Sequence, residues 1–191
     1  MTDKKFSPKK LEKLNNPGRK EIHHPDLIWE TLGLKNPEVL VDIGAGTGFF
    51  SMPFADKMPD GVVYACDISD VMLDWMKENL PQKYQGRIIP TKTEESSTGL
   101  GDNIADLVFM ILLHHELDDP LLMLQESKRL LKPGGKIMIV DWKKEEMPFG
   151  PPMEIRVEAS TIEEQLRHTG FKDIIQHTTL PLNTFLVATR P

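Results

Sequence analysis

The chain has 191 residues, of which 39% are hydrophobic and 27% are charged, and this composition is typical of a globular protein of about one domain. The formal net charge of −6 argues against a nucleic-acid partner held by phosphate neutralisation. The single cysteine, Cys66, excludes an intramolecular disulfide and fits a reducing compartment. No apolar run approaches the roughly 18 residues of a membrane span, and the first residues are polar. We therefore expect a cytoplasmic protein without membrane contact.

The first 36 residues predict short helices rather than part of a sheet. Ser7 and Pro8 precede a brief helical pattern that ends near Leu14, with a mobile tail as the alternative. Pro25 opens a second helix that runs through Leu32 and stops near Gly33. We treat residues 1–36 as an N-terminal helical segment and residues 37–191 as the core.

A buried strand, a glycine-rich turn and a helix follow one another from residue 39. The strand Val39–Ile43 is apolar except for Asp42, and the helix is predicted over residues 49–58. Alternate glycines follow the strand: Gly44, Gly46 and Gly48. Glycines allow close approach of the backbone to a ligand at a helix N-terminus. The dinucleotide turn G-x-G-x-x-G requires glycine at position 49, which is Phe here. An acid at Asp42 would repel a pyrophosphate and suits a ligand that carries an ammonium group.

A second buried strand, residues 62–66, ends at Asp67, which is 19 residues beyond the last glycine of the turn. An acid at this place accepts hydrogen bonds from ribose hydroxyls, in nicotinamide enzymes as well as in other adenosine-binding proteins. The alternative is that Asp67 caps the next helix, residues 70–79, although Ser69 or Asp70 could take that position. Met72 faces either the core or an adenine ring.

The second half of the chain predicts three further strands before a terminal hairpin. Residues 87–90 form a short third strand, and the apolar run within residues 102–113 suits a central parallel strand. A helix over residues 121–131 and a turn lead to a fifth strand, residues 137–140, which ends in Asp141-Trp142-Lys143-Lys144. A capped helix is predicted from Ser160 to Gly170. The last two strands, residues 171–179 and 184–189, form a hairpin.

His114, His115 and Glu116 follow the fourth strand and are the neighbouring acid–base candidates there. Histidine has a pKa near 6.5 and can take a proton from an O–H or N–H nucleophile, and we place His115 ahead of His114 in this catalytic role. The alternative is that one histidine packs and the other is solvated. Adjacent residues of one segment do not converge on a metal, so no metal is expected. Trp142 lines a substrate pocket or packs, and Lys143 belongs to a solvated loop.

The pattern D-x-G-x-G-x-G at Asp42–Gly48 resembles the signature of the class I methyltransferases that use S-adenosylmethionine. The L-x-P-G-G sequence at residues 131–135, between a helix and a strand, is also familiar from that family. The His-Glu and Asp-Trp-Lys-Lys continuations are similar to small bacterial and archaeal relatives of the quinone C-methyltransferases. The resemblance covers residues 37–191. It implies an α/β fold, with a Rossmann-like, seven-stranded, mostly parallel sheet, helices on both faces and an antiparallel strand in the terminal hairpin.

The resemblance also implies a cofactor, S-adenosylmethionine, and a small-molecule methyl acceptor. Methyltransferases of this class often fold an N-terminal segment over the active site, so residues 1–36 are expected to act as a lid. The stretch from residue 91 to 97 approaches the adenine ring in the family. Many relatives have aspartate where Thr93 aligns, and Glu94 is the expected substitute. The predicted cofactor-binding residues are Asp42, Gly44, Ala45, Gly46, Gly48, Asp67, Ile68, Met72, Thr93, Glu94 and Met110.

Two other functional classes remain open from the sequence. A nicotinamide-dependent oxidoreductase is disfavoured by Phe49, by Asp42 and by the terminal hairpin. A catalytically silent module that binds S-adenosylmethionine is compatible with the same residues. The sequence leaves open the identity of the acceptor, whether oxygen, nitrogen, carbon or sulfur is methylated, and the oligomeric state.

Overall fold

The computed structural model describes residues 14–16 and 18–191. The strands of this part are β1 (Val39–Ile43), β2 (Val62–Asp67), β3 (Ile88–Lys92), β4 (Ala105–Ile111), β5 (Leu131–Trp142), β6 (Lys172–His177) and β7 (Asn183–Thr189). Its helices are α1 (Arg19–His23), α2 (Pro25–Leu32), α3 (Ser51–Asp56), α4 (Asp70–Asn79), α5 (Pro120–Leu130) and α6 (Ala159–His168). Three 3₁₀ turns complete the list: Gln82–Tyr84, His114–Glu116 and Met153–Ile155. The helix predicted from Ser7 lies outside the described residues, apart from its last residue.

The seven strands form one sheet in the order β3-β2-β1-β4-β5-β7-β6. Strands β1 to β5 pair in parallel, whereas β7 is antiparallel to both β5 and β6. The predicted fold class, a mostly parallel Rossmann-like sheet with an antiparallel terminal strand, is confirmed. The strand order reverses between β1 and β4, and parallel sheets bind ligands at the carboxyl ends of the strands near such a switch point. The glycine turn follows β1 at this place.

Two predicted helix starts differ from the structure. The helix after the glycine turn is shorter than predicted, Ser51–Asp56, because Gly48 has φ +75° and residues 47–50 form turns. The last helix begins one residue earlier than predicted, and its N-cap is Glu158, without a side-chain cap hydrogen bond. The capping motif predicted at Ser160 is therefore wrong, since Ser160 already lies within the helix.

Strand β5 is longer than predicted, because β7 pairs with it along seven residue pairs from Lys136 to Trp142. Ala105 of β4 pairs with Leu131, and Leu107 pairs with Lys136, so the Pro-Gly-Gly turn is an irregularity within the strand. Gly134 has φ +79° in this turn. The extension matters for the site because it brings Asp141 and Trp142 to the edge of the sheet where β4 ends.

Apolar side chains pack on both faces of the sheet. On one face, Phe54 of α3 lies against Phe109 of β4, with ring centroids 5.0 Å apart. On the other face, Leu124 of α5 packs with β4 and β5, and Ile162 of α6 belongs to the same cluster, on a helix that contacts β6 and β7. Strands covered on both faces explain the continuous apolar runs of the sequence. Within the described residues, no helix has the length and apolarity needed to cross a membrane.

Candidate active site

The glycine turn adopts a backbone conformation that favours glycine at three positions. Gly44, Gly46 and Gly48 have φ values of +72°, +57° and +75°. The N–H groups of Gly44 and Ala45 both donate to the carbonyl oxygen of Cys66 at 2.9 Å, which ties the turn to the end of β2. A left-handed conformation costs an L-residue about 1–2 kcal/mol. The sequence therefore needs glycine here for conformation as well as for close approach.

Gly44 is also restricted by a neighbour. A Cβ atom at Gly44 would lie 2.7 Å from both Cδ atoms of Leu113, whereas a Cβ atom at Gly46 would have nothing within 4 Å. We expect Gly44→Ala to cost about 1–3 kcal/mol more in unfolding free energy than Gly46→Ala, since overpacking adds to the same backbone strain. Denaturant unfolding of both variants measures the difference. Adding Leu113→Ala should remove most of the excess, and an equal cost for the two glycine variants would contradict the steric explanation.

Asp67 lies at the end of β2 and connects the turn to the start of α4. Its Oδ2 accepts the N–H of Gly46 at 2.8 Å, and its Oδ1 accepts the N–H of Ser69 at 2.8 Å. The cap of α4 is Ser69, whose hydroxyl accepts the N–H of Met72, so the helix-cap interpretation of Asp67 is wrong. Each carboxylate oxygen retains a further lone pair. Burial raises the pKa of Asp67, and the hydrogen bonds with Ser69 and Gly46 oppose that rise.

Asp42 lies beneath the turn and is only 3% exposed. Its Oδ2 accepts the hydroxyl of Ser51, the first residue of α3, at 2.5 Å. Burial raises the pKa of Asp42 to about 7, against the hydrogen bond from Ser51, and the nearby charge of Asp67 raises it further. The two predicted acids therefore lie close enough to interact at the switch point.

The other predicted cofactor contacts are placed unequally. Ile68 follows Asp67 and is 42% exposed, so it offers an apolar surface beside the acid. The N–H of Thr93 donates to the carbonyl oxygen of Asp67 at 3.1 Å, whereas Glu94 is exposed and pairs with Ser97. The side chain of Met110 is fully buried in the core.

Met72 lies on α4, near the end of β2. Its side chain is buried, and its N–H is bonded to the cap residue Ser69. Helix α4 packs against both β2 and β3, so Met72 lies on the helix that follows Asp67 at the end of β2. Both interpretations, core packing and contact with an adenine ring, remain compatible with this place.

His115 and Asp141 form a buried pair where β4 and β5 end. The imidazole Nδ1 lies 2.7 Å from Asp141 Oδ1, and the His115 N–H donates to Asp141 Oδ2 at 2.8 Å. The N–H of Trp142 also donates to Asp141 Oδ1, at 2.7 Å. Because the carboxylate accepts these bonds, Nδ1 carries a proton, and in the neutral imidazole the lone pair is on Nε2. The side chain of His115 is 5% exposed, and Nε2 lies 3.7 Å from Glu116 Oε1.

His114 faces the opposite direction. Its Nε2 lies 2.8 Å from Gln165 Oε1 on α6, and its Nδ1 is buried without a hydrogen-bond partner among the described residues. Burial lowers the pKa of His114, although the Gln165 contact and the charge of Asp141 oppose that effect. The His114 ring is therefore anchored to α6 through Gln165 and makes no hydrogen bond with Asp141 in the described part of the chain.

The N-terminal helix α1 contributes to the same edge of the sheet. His23 is buried, and its ring packs edge-on against Phe50 and Trp142. The ring centroids lie 6.2 Å apart for Phe50 and 5.2 Å apart for Trp142. Its Nδ1 lies 3.3 Å from Asn183 Oδ1, and the amide of Asn183 donates to the carbonyl oxygen of Asp141 at 3.3 Å. Burial lowers the pKa of His23 to about 4, so the ring is neutral at physiological pH.

Several functional candidates escaped sequence analysis. Ser51, Leu113 and Asn183 gave no signal, because a hydroxyl, an aliphatic and an amide side chain carry no distinctive spacing. The partnership of Asp141 with His115 had a usable signal: the predicted fourth and fifth strands are adjacent and parallel, pair through Ile111 and Val140, and bring His115 and Asp141 to the same edge of the sheet.

The turn fits a polar adenosine-type ligand. The hydroxyl of Thr47, between two of the glycines, is buried and has no partner in the part of the chain that the structure describes. The position of Asp67 beside the exposed Ile68 suits a ribose with an apolar ring next to it. Asp42 adds an acid beneath the turn, as a ligand with an ammonium group requires.

Comparisons with known proteins agree with this geometry. A family model described as a methyltransferase domain matches residues 41–139, about half of the chain. The solved structure of an S-adenosylmethionine-dependent methyltransferase from Aquifex aeolicus is 32% identical, with a TM-score of 0.88, over 98% of this chain and 100% of that one. A phosphoethanolamine N-methyltransferase of Haemonchus contortus, 18% identical over 88% of this chain and 52% of that one, shares the fold with a TM-score of 0.74.

A ubiquinone/menaquinone biosynthesis C-methyltransferase of Cupriavidus taiwanensis is 30% identical over 114 residues, 59% of this chain and 46% of that protein. The chain spans about half the length of the curated relatives that it matches. The family model includes the last three residues of β1, the glycine turn, Asp67 and His115, and the Aquifex relative is matched along its whole length. The chain therefore belongs to the class I S-adenosylmethionine-dependent methyltransferases.

Proposed function

We propose that the protein methylates a small organic acceptor whose nucleophilic atom carries a proton, with His115 as the general base. The observation that carries this proposal is the buried bond between His115 Nδ1 and Asp141 Oδ1, 2.7 Å long, at the end of β4. A base needs an orienting partner and a free lone pair near the acceptor. Asp141 is the orienting partner of His115, and Nε2 of the neutral ring provides the lone pair. Since His114 is held by Gln165, it is a packing residue in this proposal.

The cofactor supplies an activated methyl group on a sulfonium, and transfer of this methyl group to the acceptor leaves a neutral thioether. The protein mainly has to position two ligands and exclude water. The backbone of the turn at Gly44–Gly48, which has no Cβ atom at three positions, would let the amino-acid end of the cofactor approach closely, with Asp42 beneath its ammonium group. Asp67 accepts the ribose hydroxyls, and Ile68, Met72 and Thr93 border the adenine. Glu94 and Met110 contribute less, because one faces solvent and the other lies in the core.

The acceptor side is formed by the ends of β4 and β5 together with α1. His115 removes the acceptor proton through Nε2 while Asp141 stabilises the resulting imidazolium. Trp142, Phe50 and His23 present aromatic rings there, which suits a flat organic acceptor. The contacts of His23 with Phe50 and Trp142 support our proposal that the N-terminal segment, residues 1–36, acts as a lid. The proposals of no bound metal, no nucleic-acid partner and a cytoplasmic location rest on the sequence.

The experiment that tests the function is a methyl-transfer screen with radiolabelled S-adenosylmethionine. Phenols, hydroxylated quinones and aromatic amines form the panel, and quinol-type rings come first because the curated relatives are named as quinone C-methyltransferases. Label in an acceptor, lost in His115→Ala, supports the proposal. Cofactor binding without transfer to any member of the panel favours the alternative, a catalytically silent module that binds the cofactor. The family assignment leaves little room for a nicotinamide-dependent oxidoreductase.

Asp67→Ala should weaken binding of S-adenosylhomocysteine by about 1.5–3 kcal/mol, the range for losing charge-assisted hydrogen bonds to the ribose. The measurement is the shift in melting temperature on adding the ligand, which falls when affinity falls. Asp70→Ala is the matched control, since Asp70 is a neighbouring exposed acid paired with Lys92. An equal ligand-induced shift in the two variants would remove Asp67 from the cofactor site.

A further inference from the structure

Arg19 is a partly buried cation beside the glycine turn, and the proposed mechanism does not use it. Its guanidinium carbon lies 4.4 Å from the ring centroid of Phe49 and 5.6 Å from that of Phe50. These two aromatic residues directly follow Gly48, the last glycine of the turn. The stacking therefore holds the cation of the N-terminal segment against the two residues that follow the glycine turn.

The described residues offer no carboxylate to this guanidinium. Its one side-chain hydrogen bond there runs from Nη1 to the carbonyl oxygen of Leu14. Arg19 forms no salt bridge with any described acid, although a guanidinium has five donors and pairs best with a carboxylate through two of them. Burial lowers the pKa of Arg19 to about 10, so the charge is held with reduced hydration. A desolvated cation without an anion is costly unless a ligand supplies one.

The other charged residues near the turn indicate which anionic group of the ligand pairs with Arg19. The cofactor has an ammonium and a carboxylate at its amino-acid end. Asp42 and Asp67 are the acids at the turn, so the ammonium and the ribose have partners but the carboxylate has none on the sheet. Lys92 is committed to Asp70 and to the carbonyl oxygen of Ile68. Among the described residues, Arg19 is the cation that stacks on Phe49 and Phe50, directly after the turn.

We propose that Arg19 binds the carboxylate of the amino-acid end of the cofactor, and that the N-terminal segment thereby helps to select and orient it. This inference rests on the proposed cofactor site. A guanidinium recognises a carboxylate by its planar fork, and stacking on Phe49 restricts the side chain in advance, which reduces the entropy lost on binding. Arg19 is thus a ligand-binding residue contributed from outside the parallel sheet.

The test compares two ligands by calorimetry: S-adenosylhomocysteine and its decarboxylated analogue, in which hydrogen replaces the carboxylate. Wild-type protein should bind the first about 10–100-fold more tightly, as expected for a charge-assisted pair. Arg19→Met keeps an unbranched apolar chain over Phe49 and removes the cation. This variant should bind the two ligands within about threefold of each other, because only the carboxylate contact is lost. The preference of Arg19→Lys for the ligand with the carboxylate should lie between those of the wild type and Arg19→Met.

Lys20→Met is the matched control, since it removes a neighbouring exposed cation and should leave the preference unchanged. A preference that persists in Arg19→Met, or an equal weakening of both ligands, overturns the inference while leaving the proposed function intact. A wild-type protein that binds both ligands equally well has the same consequence. A wild-type protein that binds neither overturns the cofactor site and this inference together.

Discussion

His115→Ala is expected to lower the turnover of the acceptor found in the screen about 10²–10⁴-fold, the usual contribution of a positioned general base. Cofactor affinity should stay nearly constant, because His115 follows β4 and does not belong to the glycine turn. Asp141 should matter almost as much. Asp141→Asn keeps the shape of the side chain but removes the carboxylate that holds Nδ1–H at 2.7 Å. We expect a smaller loss in turnover for this variant, since the imidazole remains.

His114→Ala is the matched control for the base, because the neighbouring imidazole is bonded to Gln165 instead of Asp141. It should lower stability while leaving the turnover of folded enzyme within about threefold of wild type, since a packing residue does not enter the transition state. Single-turnover kinetics with saturating cofactor separates the chemical step from binding. An unchanged rate in His115→Ala would eliminate base catalysis by His115 and leave positioning as the mechanism.

Asp42→Asn is expected to make the fold more stable than the wild type at alkaline pH. The same substitution should weaken the binding of the cofactor. The pKa of Asp42 is raised from 3.8 to about 7 in the folded state, so the folded protein keeps a proton that the unfolded chain releases. Stability contributed by this group is complete below about pH 4 and falls as the pH rises towards 7. Two pH units within that window correspond to about 2.7 kcal/mol. Asparagine does not ionise, so the variant avoids this loss.

The measurement is urea unfolding of the ligand-free wild type and Asp42→Asn at about pH 5 and about pH 8. The stability of the variant relative to wild type should rise by roughly 2–3 kcal/mol between the two conditions. Ser51→Ala is the control: it removes the hydroxyl that stabilises the Asp42 carboxylate, so its stability relative to wild type should fall between the two conditions, where that of Asp42→Asn rises. Calorimetry should show weaker binding of S-adenosylhomocysteine by Asp42→Asn. A difference in stability that does not change with pH would contradict the burial of an acid beneath the turn.

The fold class was predictable from the sequence, whereas the side-chain partnerships were not. Alternate glycines after an apolar strand indicate a ligand-binding turn, because few other roles require three positive φ angles so close together. Residues 70–79 matched α4 because Ser69 gives a clear cap. Strand β5 was predicted too short, since the Pro-Gly-Gly turn hides its pairing with β4 and the length of β7 decides where it ends.

The acid–base pair illustrates the limit of sequence reasoning. His115 was predicted from its position after β4, but local sequence does not show which of two adjacent histidines faces a carboxylate. The direction of each ring depends on contacts 26 residues away for Asp141 and 51 residues away for Gln165. His23 and Arg19 come from a segment with short helices and few signals, and only tertiary packing brings them to Trp142 and Phe49.

The proposed S-adenosylmethionine site is formed by the turn after β1 and by Asp67 at the end of β2. Calorimetric titration of the purified protein with S-adenosylmethionine, S-adenosylhomocysteine and NAD tests it most directly. We expect the first two to bind at about micromolar affinity, roughly −8 kcal/mol, and to bind much more weakly to Asp67→Ala. NAD should show no comparable binding. Tight binding of NAD without binding of either sulfur compound would contradict the account.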